Sequence, residues 1–430
     1  MTRSDADSRA GTAGPLAALL VLLFALCLPL LLTTRIGPYT WDQEQYHLPA
    51  VRQIAAGWPR LDLLRDSLSA TAPGYHYLLA TVAQATGTSG QTLRGLNFLV
   101  AAGFIGLLCA AFPRGHRWLA VAVAAPLAFS NFYVKSACWL VTDNAALFAT
   151  GVALLLLVRQ QSGGAPLWLG ALAAAASTSV RQMNVWLAGP LAVRAYLDTR
   201  SASLGTRLMG GASVLLPAGV LAYLVWRWGG LVPPIWSEVH RGDGRLTTAS
   251  LTYILAVLGS FAPFYLLSFP DRDGPPLVDQ KAVLAFAGGV CWALTAPTTF
   301  DPEGNRWGGY WWHATQFFPA PGGRSLLLTA MAGGGAWLLL TLVRRLHVAA
   351  GGRLTACWSS AFGCWMLSSC ANLRLFQRYF EPPVLLFLIL WALLWVRARP
   401  HGPVRLAPLA ALAVLQIALT IATAHVKTLS

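Results

Sequence analysis

Apolar runs recur along the whole chain, at 15–34, 93–112, 118–134, 139–158, 165–178, 183–198, 208–228, 249–269, 281–297, 324–343, 355–371, 379–396 and 405–424. Most run about 17 to 22 residues, the length that carries an α-helix across the hydrocarbon core of a bilayer. One more run, 72–87, is shorter and rich in Tyr, Thr and Gln. The pattern predicts an all-α polytopic membrane protein. Loop charge tests which runs cross. With the N-terminus in the cytoplasm and 72–87 uncounted, the inner loops collect Arg114 and Arg117, Arg159, Arg194, Arg200 and Arg207. They continue with Arg272 and Lys281, then Arg344, Arg345 and Arg353, then Arg397, Arg399 and Arg405. That follows the positive-inside rule, and counting 72–87 as a span would put every cluster outside. The run 72–87 is therefore predicted to be an interfacial or re-entrant helix.

The expected architecture has about 13 transmembrane helices and an external C-terminus. Residues 1–14 form a cytoplasmic tail and 15–430 a single transmembrane domain, with outer loops at 35–92 and 298–324. The weakest spans are 165–178 and 183–198, which are short and separated by a polar break.

Composition sharpens this picture. Hydrophobic residues make up 56% of the 430 positions and charged residues 11%, whereas a soluble domain carries about 25% charged residues. An ordinary soluble enzyme is excluded. The net charge of +15 belongs to basic inner loops facing anionic headgroups, since no basic-aromatic nucleic-acid module is present. The seven cysteines are scattered without a CxxC pair and read as small apolar fillers. Run 15–34 exceeds the core of a signal peptide and reads as a retained first span. No Walker loop, GxGxxG loop or HExxH site occurs, so neither a cofactor nor a metal is expected, and a nucleotide sugar is not expected as a direct donor. No internal repeat is evident, which argues against an inverted-repeat transporter.

The least hydrophobic and most aromatic loops fall on the predicted outer face. The first contains Asp42, Glu44 and His47 among Tyr39, Trp41, Tyr46 and Pro49. A carboxylate held there can act as a general base toward a hydroxyl; acids beside a membrane are also often simply solvated. Asp143 and Asn144 stand just inside the outer end of a span, where a charge is costly and marks either function or a hydrogen bond between helices. Arg181, Gln182 and Asn184 interrupt an apolar stretch. Arg181, Arg374 and Arg378 are candidates for gripping a phosphate through the planar guanidinium fork, with Tyr379, His240 and His313 beside them; Arg374 and Arg378 fit equally the snorkelling of helix-end arginines to headgroups. The loop Asp301–His313 combines acids, Arg306 and four aromatic rings, which suit sugar faces, lipid chains or an interfacial belt.

Several of these stretches together resemble the terminal α-1,2-glucosyltransferase family of the dolichol-linked oligosaccharide pathway. That family's PYMDExFHxPQAQxY and WDPxITTPPGLY resemble PYTWDQEQYHLPAVRQI and LRDSLSATAPGYHY here. LRGLNFL at Leu93–Leu99, Val141-Thr142-Asp143, Arg181-Gln182-Met183-Asn184-Val185-Trp186 and Arg378-Tyr379-Phe380 follow the family's order. Two residues are inserted before the acidic pair, so Gln43 falls where the family's first acid would align to His47; one proline of the TTPPG turn is Ala72, and the middle loop matches only loosely at His240–Arg245. More broadly the layout resembles the GT-C superfamily. The resemblance implies an inverting transfer of a hexose, such as glucose, from a polyprenyl- or dolichyl-phosphate carrier to a lipid-linked glycan or other outer-face acceptor, with the lipid phosphate leaving. Asp42 and Glu44 are both candidates for the base. Glu44 keeps the family's spacing to His47, but Asp42 is favoured, because the insertion can be absorbed after it and Trp41 can shield it. His47, Asp143, Arg181, Gln182, Asn184, His240, His313, Arg374, Arg378 and Tyr379 are the implied substrate-binding set. Transfer to protein or to a cell-envelope polysaccharide is the alternative within enzymes, and a lipid or sugar transporter the alternative outside them. The Ala, Gly and Arg content points to a bacterial plasma membrane.

Overall fold

The computed structural model describes residues 3–33, 40–159, 164–199, 203–237, 246–271, 274–298, 307–372 and 374–425. Their regular secondary structure is helical, apart from one parallel bridge between β1 (Trp307–Gly308) and β2 (Leu375–Phe376). Two compact units form: residues 1–241 with 413–430, and residues 242–412.

The first unit contains α1 (Arg3–Leu32), a π-helical turn Gln43–His47, α2 (Leu48–Gly57), α3 (Gly74–Thr86) and α4 (Gly90–Ala111). It continues with α5 (Arg117–Ala128), α6 (Asn131–Cys138), α7 (Asp143–Leu157), α8 (Gly164–Val180), α9 (Ala188–Thr199) and α10 (Leu204–Trp228). From Arg3 onward the predicted tail is part of α1.

The second unit holds α11 (Ala249–Ser268), α12 (Gln280–Ala293), α13 (Tyr310–Thr315), α14 (Leu326–Ser369) and α15 (Glu381–Ala398). Helix α16 (Ala407–Thr420) follows, and its Thr420 hydroxyl donates to the Phe129 carbonyl at 2.7 Å within the first unit.

Every predicted apolar run falls on a helix, but not every helix is a straight span. Seven described helices are long and apolar enough to cross a bilayer: 14–32, 90–111, 207–228, 249–268, 326–369, 377–398 and 407–424. Run 118–134 is not one rod. It breaks after α5 and turns by 76° into α6, and the pair counts as an eighth span only if taken together. Pro126 lies in the last turn of α5, where its missing N–H weakens the helix just before the break. Runs 324–343 and 355–371 share the single long α14, interrupted at Gly351, whose φ of +81° suits a residue without Cβ. Runs 139–158 and 165–178 become the shorter helices α7 and α8. Run 183–198 opens as a 3₁₀ turn over Gln182–Leu187, leaving only Ala188–Thr199 as α-helix. Helix α3, on the 72–87 run, spans 13 residues.

Lipid as the outer solvent explains how these helices are dressed. In α10 only 22% of the apolar window is buried, and Leu208, Leu215 and Trp226 face outward. In water such an apolar surface would drive aggregation. Helix α15 is the opposite case: 89% of its window is buried, and it is the core of the second unit. Trp391 and Trp395 on it are fully enclosed, and the Trp391 indole donates to the Leu342 carbonyl at 3.0 Å.

Glycines set the closest helix contacts of the second unit. A Cβ on Gly335 of α14 would lie 1.9 Å from the Leu255 carbonyl oxygen of α11, and one on Gly259 of α11 would lie 2.7 Å from that of Met331. Membrane helices lack a hydrophobic drive toward one another, so backbones that approach this closely hold them through van der Waals contact.

Candidate functional site

The acidic turn is built from both ends. Helix α2 begins with Leu48-Pro49, and Pro suits a first helical turn because its missing N–H is not needed there. Leu48, Val51 and Ile54 recur on one face of α2 and pack on Tyr75, Leu79 and Ala83 of α3 and on Leu93 of α4. That apolar contact seats the π-helical turn ahead of α2, which carries Glu44 and ends at His47.

Gln43 ties this turn to the rest of the unit. Its side chain is buried, at 3% exposure. The Leu140 amide N–H donates to Gln43 Oε1 at 3.0 Å, and Gln43 Nε2 donates to Glu44 Oε1 at 2.5 Å. Leu140 lies in the corner between α6 and α7, three residues before Asp143.

Two polar residues of α4, Arg94 and Asn97, shape that corner from behind. Arg94 donates to the Cys138 carbonyl at 2.8 Å, to Thr33 at 2.9 Å and to Leu30, and its guanidinium lies 5.1 Å over the Trp139 ring. Asn97 Nδ2 reaches the carbonyls of Ser136, Ala137 and Trp139 at 2.6, 3.1 and 2.8 Å, while its Oδ1 accepts from the Tyr75 hydroxyl at 2.6 Å. These bonds satisfy carbonyls that the ends of α1 and α6 leave without helical partners.

Beyond the corner, Asp143 opens α7 and meets Arg181 at the end of α8. Arg181 Nη2 lies 2.7 Å from Asp143 Oδ1, and its Nε donates to the buried Thr142 hydroxyl at 2.9 Å. Gln182 faces the other way and holds the chain ahead of α3. Its Oε1 accepts from the Ala72 amide at 2.9 Å, and its Nε2 donates to the carbonyls of Ala70 at 2.9 Å and Leu231 at 3.1 Å. Both donor hydrogens of that amide are thus engaged with backbone. Asn184 donates to Ser177 at 2.9 Å.

His47 pairs with His76 of α3. Their rings lie edge to edge in nearly one plane, with centroids 5.1 Å apart and Nδ1 of His47 2.8 Å from Nε2 of His76, so one nitrogen donates to the other. Burial pushes the His76 imidazole down to about 4 from its ordinary 6.5. Asp66, also fully enclosed, accepts from Gln53 at 3.1 Å, from Arg65 at 2.9 Å and from the Asp62 amide at 2.9 Å. Burial alone would raise its carboxyl, but these bonds outweigh that effect and hold it below the ordinary carboxylate value.

The first unit therefore brings Glu44, Asp143 and Arg181 onto one bonded frame, with His47, Gln182 and Asn184 supporting its edges. Asp42 is half-buried on the same turn, and Trp41 beside it is 53% exposed. Gln43, Arg94, Asn97 and Thr142 were not among the predicted site residues, although all four lie in stretches that carry the family resemblance. A signal existed for Arg94 and Asn97: they are two polar side chains three apart, hence on one face of an otherwise apolar span.

The second unit holds the late candidates. The β1–β2 bridge pairs Trp307 with Leu375 and Gly308 with Phe376, joining the segment that carries His313 to the one that carries Arg378. Arg378 lies over the Phe376 and Tyr379 rings at 5.4 and 5.0 Å and donates to the Tyr379 hydroxyl at 3.0 Å. The Arg374 amide donates to Asn372 Oδ1 at 3.0 Å, and His313 is exposed on α13. Beneath them Glu381, fully buried at the start of α15, accepts from Tyr310 and from Gln377 at 2.8 Å, and the Tyr253 hydroxyl donates to Gln377 at 2.9 Å. His240 lies outside the described residues.

No family model matches the chain, and no curated protein matches it. Among solved structures, the chain is similar to ArnT from Cupriavidus metallidurans bound to undecaprenyl phosphate. That likeness has 13% identity and a TM-score of 0.37, over 90% of this chain and 77% of the other. The apo state of the same protein compares at 14% identity and the same TM-score, over 89% and 77%.

Proposed function

We propose that this chain is a membrane glycosyltransferase of the GT-C type, moving a hexose from a polyprenyl-phosphate carrier to a hydroxyl acceptor on the outer face of a bacterial plasma membrane. The observation that supports it is the frame of the first unit. A carboxylate on the first loop is joined through Gln43 to the corner that carries Thr142 and Asp143, and that corner holds Arg181. In the proposed reaction the carboxylate takes the proton of the acceptor hydroxyl. The oxygen attacks the anomeric carbon as the bond to the lipid phosphate breaks, and the configuration inverts. The departing phosphate already carries charge, so cations stabilise it rather than a general acid. Arg181 is the group proposed for that part, and glucose is the hexose that the sequence resemblance favours.

Two carboxylates compete for the role of base. Glu44 is the one that Gln43 orients, and it replaces Asp42 as the leading candidate. The transporter reading is weaker, because a transporter gathers paired acids and broken helices around the membrane midplane, whereas Asp42 and Glu44 belong to the loop after the first span. Protein and cell-envelope polysaccharide remain alternative acceptors.

The test is turnover of undecaprenyl-phosphate [14C]glucose by the purified protein in liposomes, with the acceptor supplied as membrane extract. Release of undecaprenyl phosphate is expected from the wild type and is expected to vanish in Glu44→Gln. A Glu44→Gln, Asp42→Asn double variant that turns the carrier over at the wild-type rate would overturn the proposal.

A further inference from the structure

Gln43 is an uncharged side chain between two acids, at the position where the resembled family carries its first acid. Its surroundings single it out. It is buried, and both ends of its amide are engaged: the oxygen by the Leu140 N–H at 3.0 Å, the nitrogen by Glu44 at 2.5 Å. The direction of the amide follows from chemistry. A backbone N–H can only donate, so the Gln43 atom facing Leu140 must be the oxygen, and the nitrogen is left facing Glu44. That nitrogen can only donate, so it needs an acceptor oxygen as its partner, which the Glu44 carboxyl supplies. Glu44 is the group so held, and the point of attachment is the backbone of the same corner that continues into Thr142 and Asp143.

We propose that Gln43 is a positioning residue that holds the Glu44 carboxylate in one orientation against the α6–α7 corner, so that the base stands at a fixed place relative to the Asp143–Arg181 pair. The inference rests on the proposed reading of Glu44 as base, and it adds how that base is aimed. A glutamate on a loop sweeps several rotamers. One hydrogen bond to a buried partner removes that freedom before the acceptor arrives, and catalysis is sensitive to misplacement of about 1 Å. Gln43 touches no reacting atom in this scheme and acts only through Glu44.

Two substitutions separate aiming from folding. Gln43→Met keeps length and burial and removes both bonds. Gln43→Glu can still accept from Leu140 but turns a second carboxylate oxygen toward Glu44. With undecaprenyl-phosphate [14C]glucose as donor, both are expected to lower turnover at least tenfold while the KM for the carrier stays within threefold. A merely structural role would instead lower the unfolding temperature and weaken donor binding in step with the rate.

A second measurement does not depend on turnover. In protein labelled with 15N-glutamine, the side-chain resonance lost in Gln43→Met identifies this amide, and Glu44→Ala is expected to move it. An unmoved resonance would overturn the proposal, as would near-normal turnover in Gln43→Met alongside an inactive Glu44→Gln. Normal turnover in Glu44→Gln itself, with the resonance still sensitive to Glu44→Ala, would instead remove the reading of Glu44 as base and leave the contact standing.

Discussion

Arg181 Nη2 sits 2.7 Å from Asp143 Oδ1, with the two side chains 24% and 10% exposed. This pair joins the end of α8 to the start of α7 across 38 residues of sequence. Its position at the edge of two spans makes each partner expensive to leave alone, because a charge withdrawn from water needs a counterpart.

Removing both partners should therefore cost less than the sum of removing each alone. Asp143→Ala is expected to lower stability by about 1–3 kcal/mol, and Asp143→Ala with Arg181→Met by less than the sum of the two single changes. Thermal unfolding in detergent micelles, run as a double-mutant cycle, measures this. Additive single effects would mean that the two residues do not stabilise one another.

Gln182 makes a different prediction. Its amide satisfies the Ala72 N–H and the Ala70 and Leu231 carbonyls, so Gln182→Leu leaves three backbone groups without that partner, at roughly 1–3 kcal/mol for each group that stays buried. The segment from Leu61 to Ala72 should loosen first. Trypsin is expected to cut faster after Arg65, whose side chain is already 65% exposed. Unchanged cleavage would show that α2 and α3 hold the segment without Gln182.

His76 predicts acid sensitivity. Its folded value of about 4 lies below its ordinary 6.5, so between those values the unfolded chain binds more protons and stability rises with pH. The contribution is complete above pH 6.5 and is lost as pH falls toward 4, amounting to about 3 kcal/mol at most. His76→Gln should flatten the difference in unfolding temperature between pH 7.5 and pH 4.5. An unchanged slope would place the acid lability elsewhere.

Helix contact in the second unit can be probed at adjacent glycines. Gly335→Leu would drive a Cβ into the Leu255 carbonyl, whereas a Cβ on Gly334 meets nothing within 4 Å. The first is expected to cost about 1–3 kcal/mol or more, seen as a lower unfolding temperature, and Gly334→Ala to be silent. Equal effects at both positions would remove the close α11–α14 contact.

The sequence by itself determined the all-helical, membrane-embedded character of this protein and the positions of its apolar segments. Length and hydropathy suffice for that, because a bilayer demands long apolar helices with their backbone bonds closed internally. It also marked the stretch around Asp42–His47 and the Arg181–Asn184 break, since polar residues beside or within apolar runs stand out. Only the tertiary structure decided what those residues touch. The bond from Gln43 to Leu140 spans 97 positions, and that from Gln182 to Ala72 spans 110; neither leaves a periodic trace in the chain. The sharp turn between α5 and α6, the pairing of His47 with His76, and the meeting of Gly259 and Gly335 with neighbouring backbone were equally hidden. Helix formation is a local matter of composition and length, while the choice of partner depends on how the helices pack, and packing is settled between residues that the sequence keeps far apart.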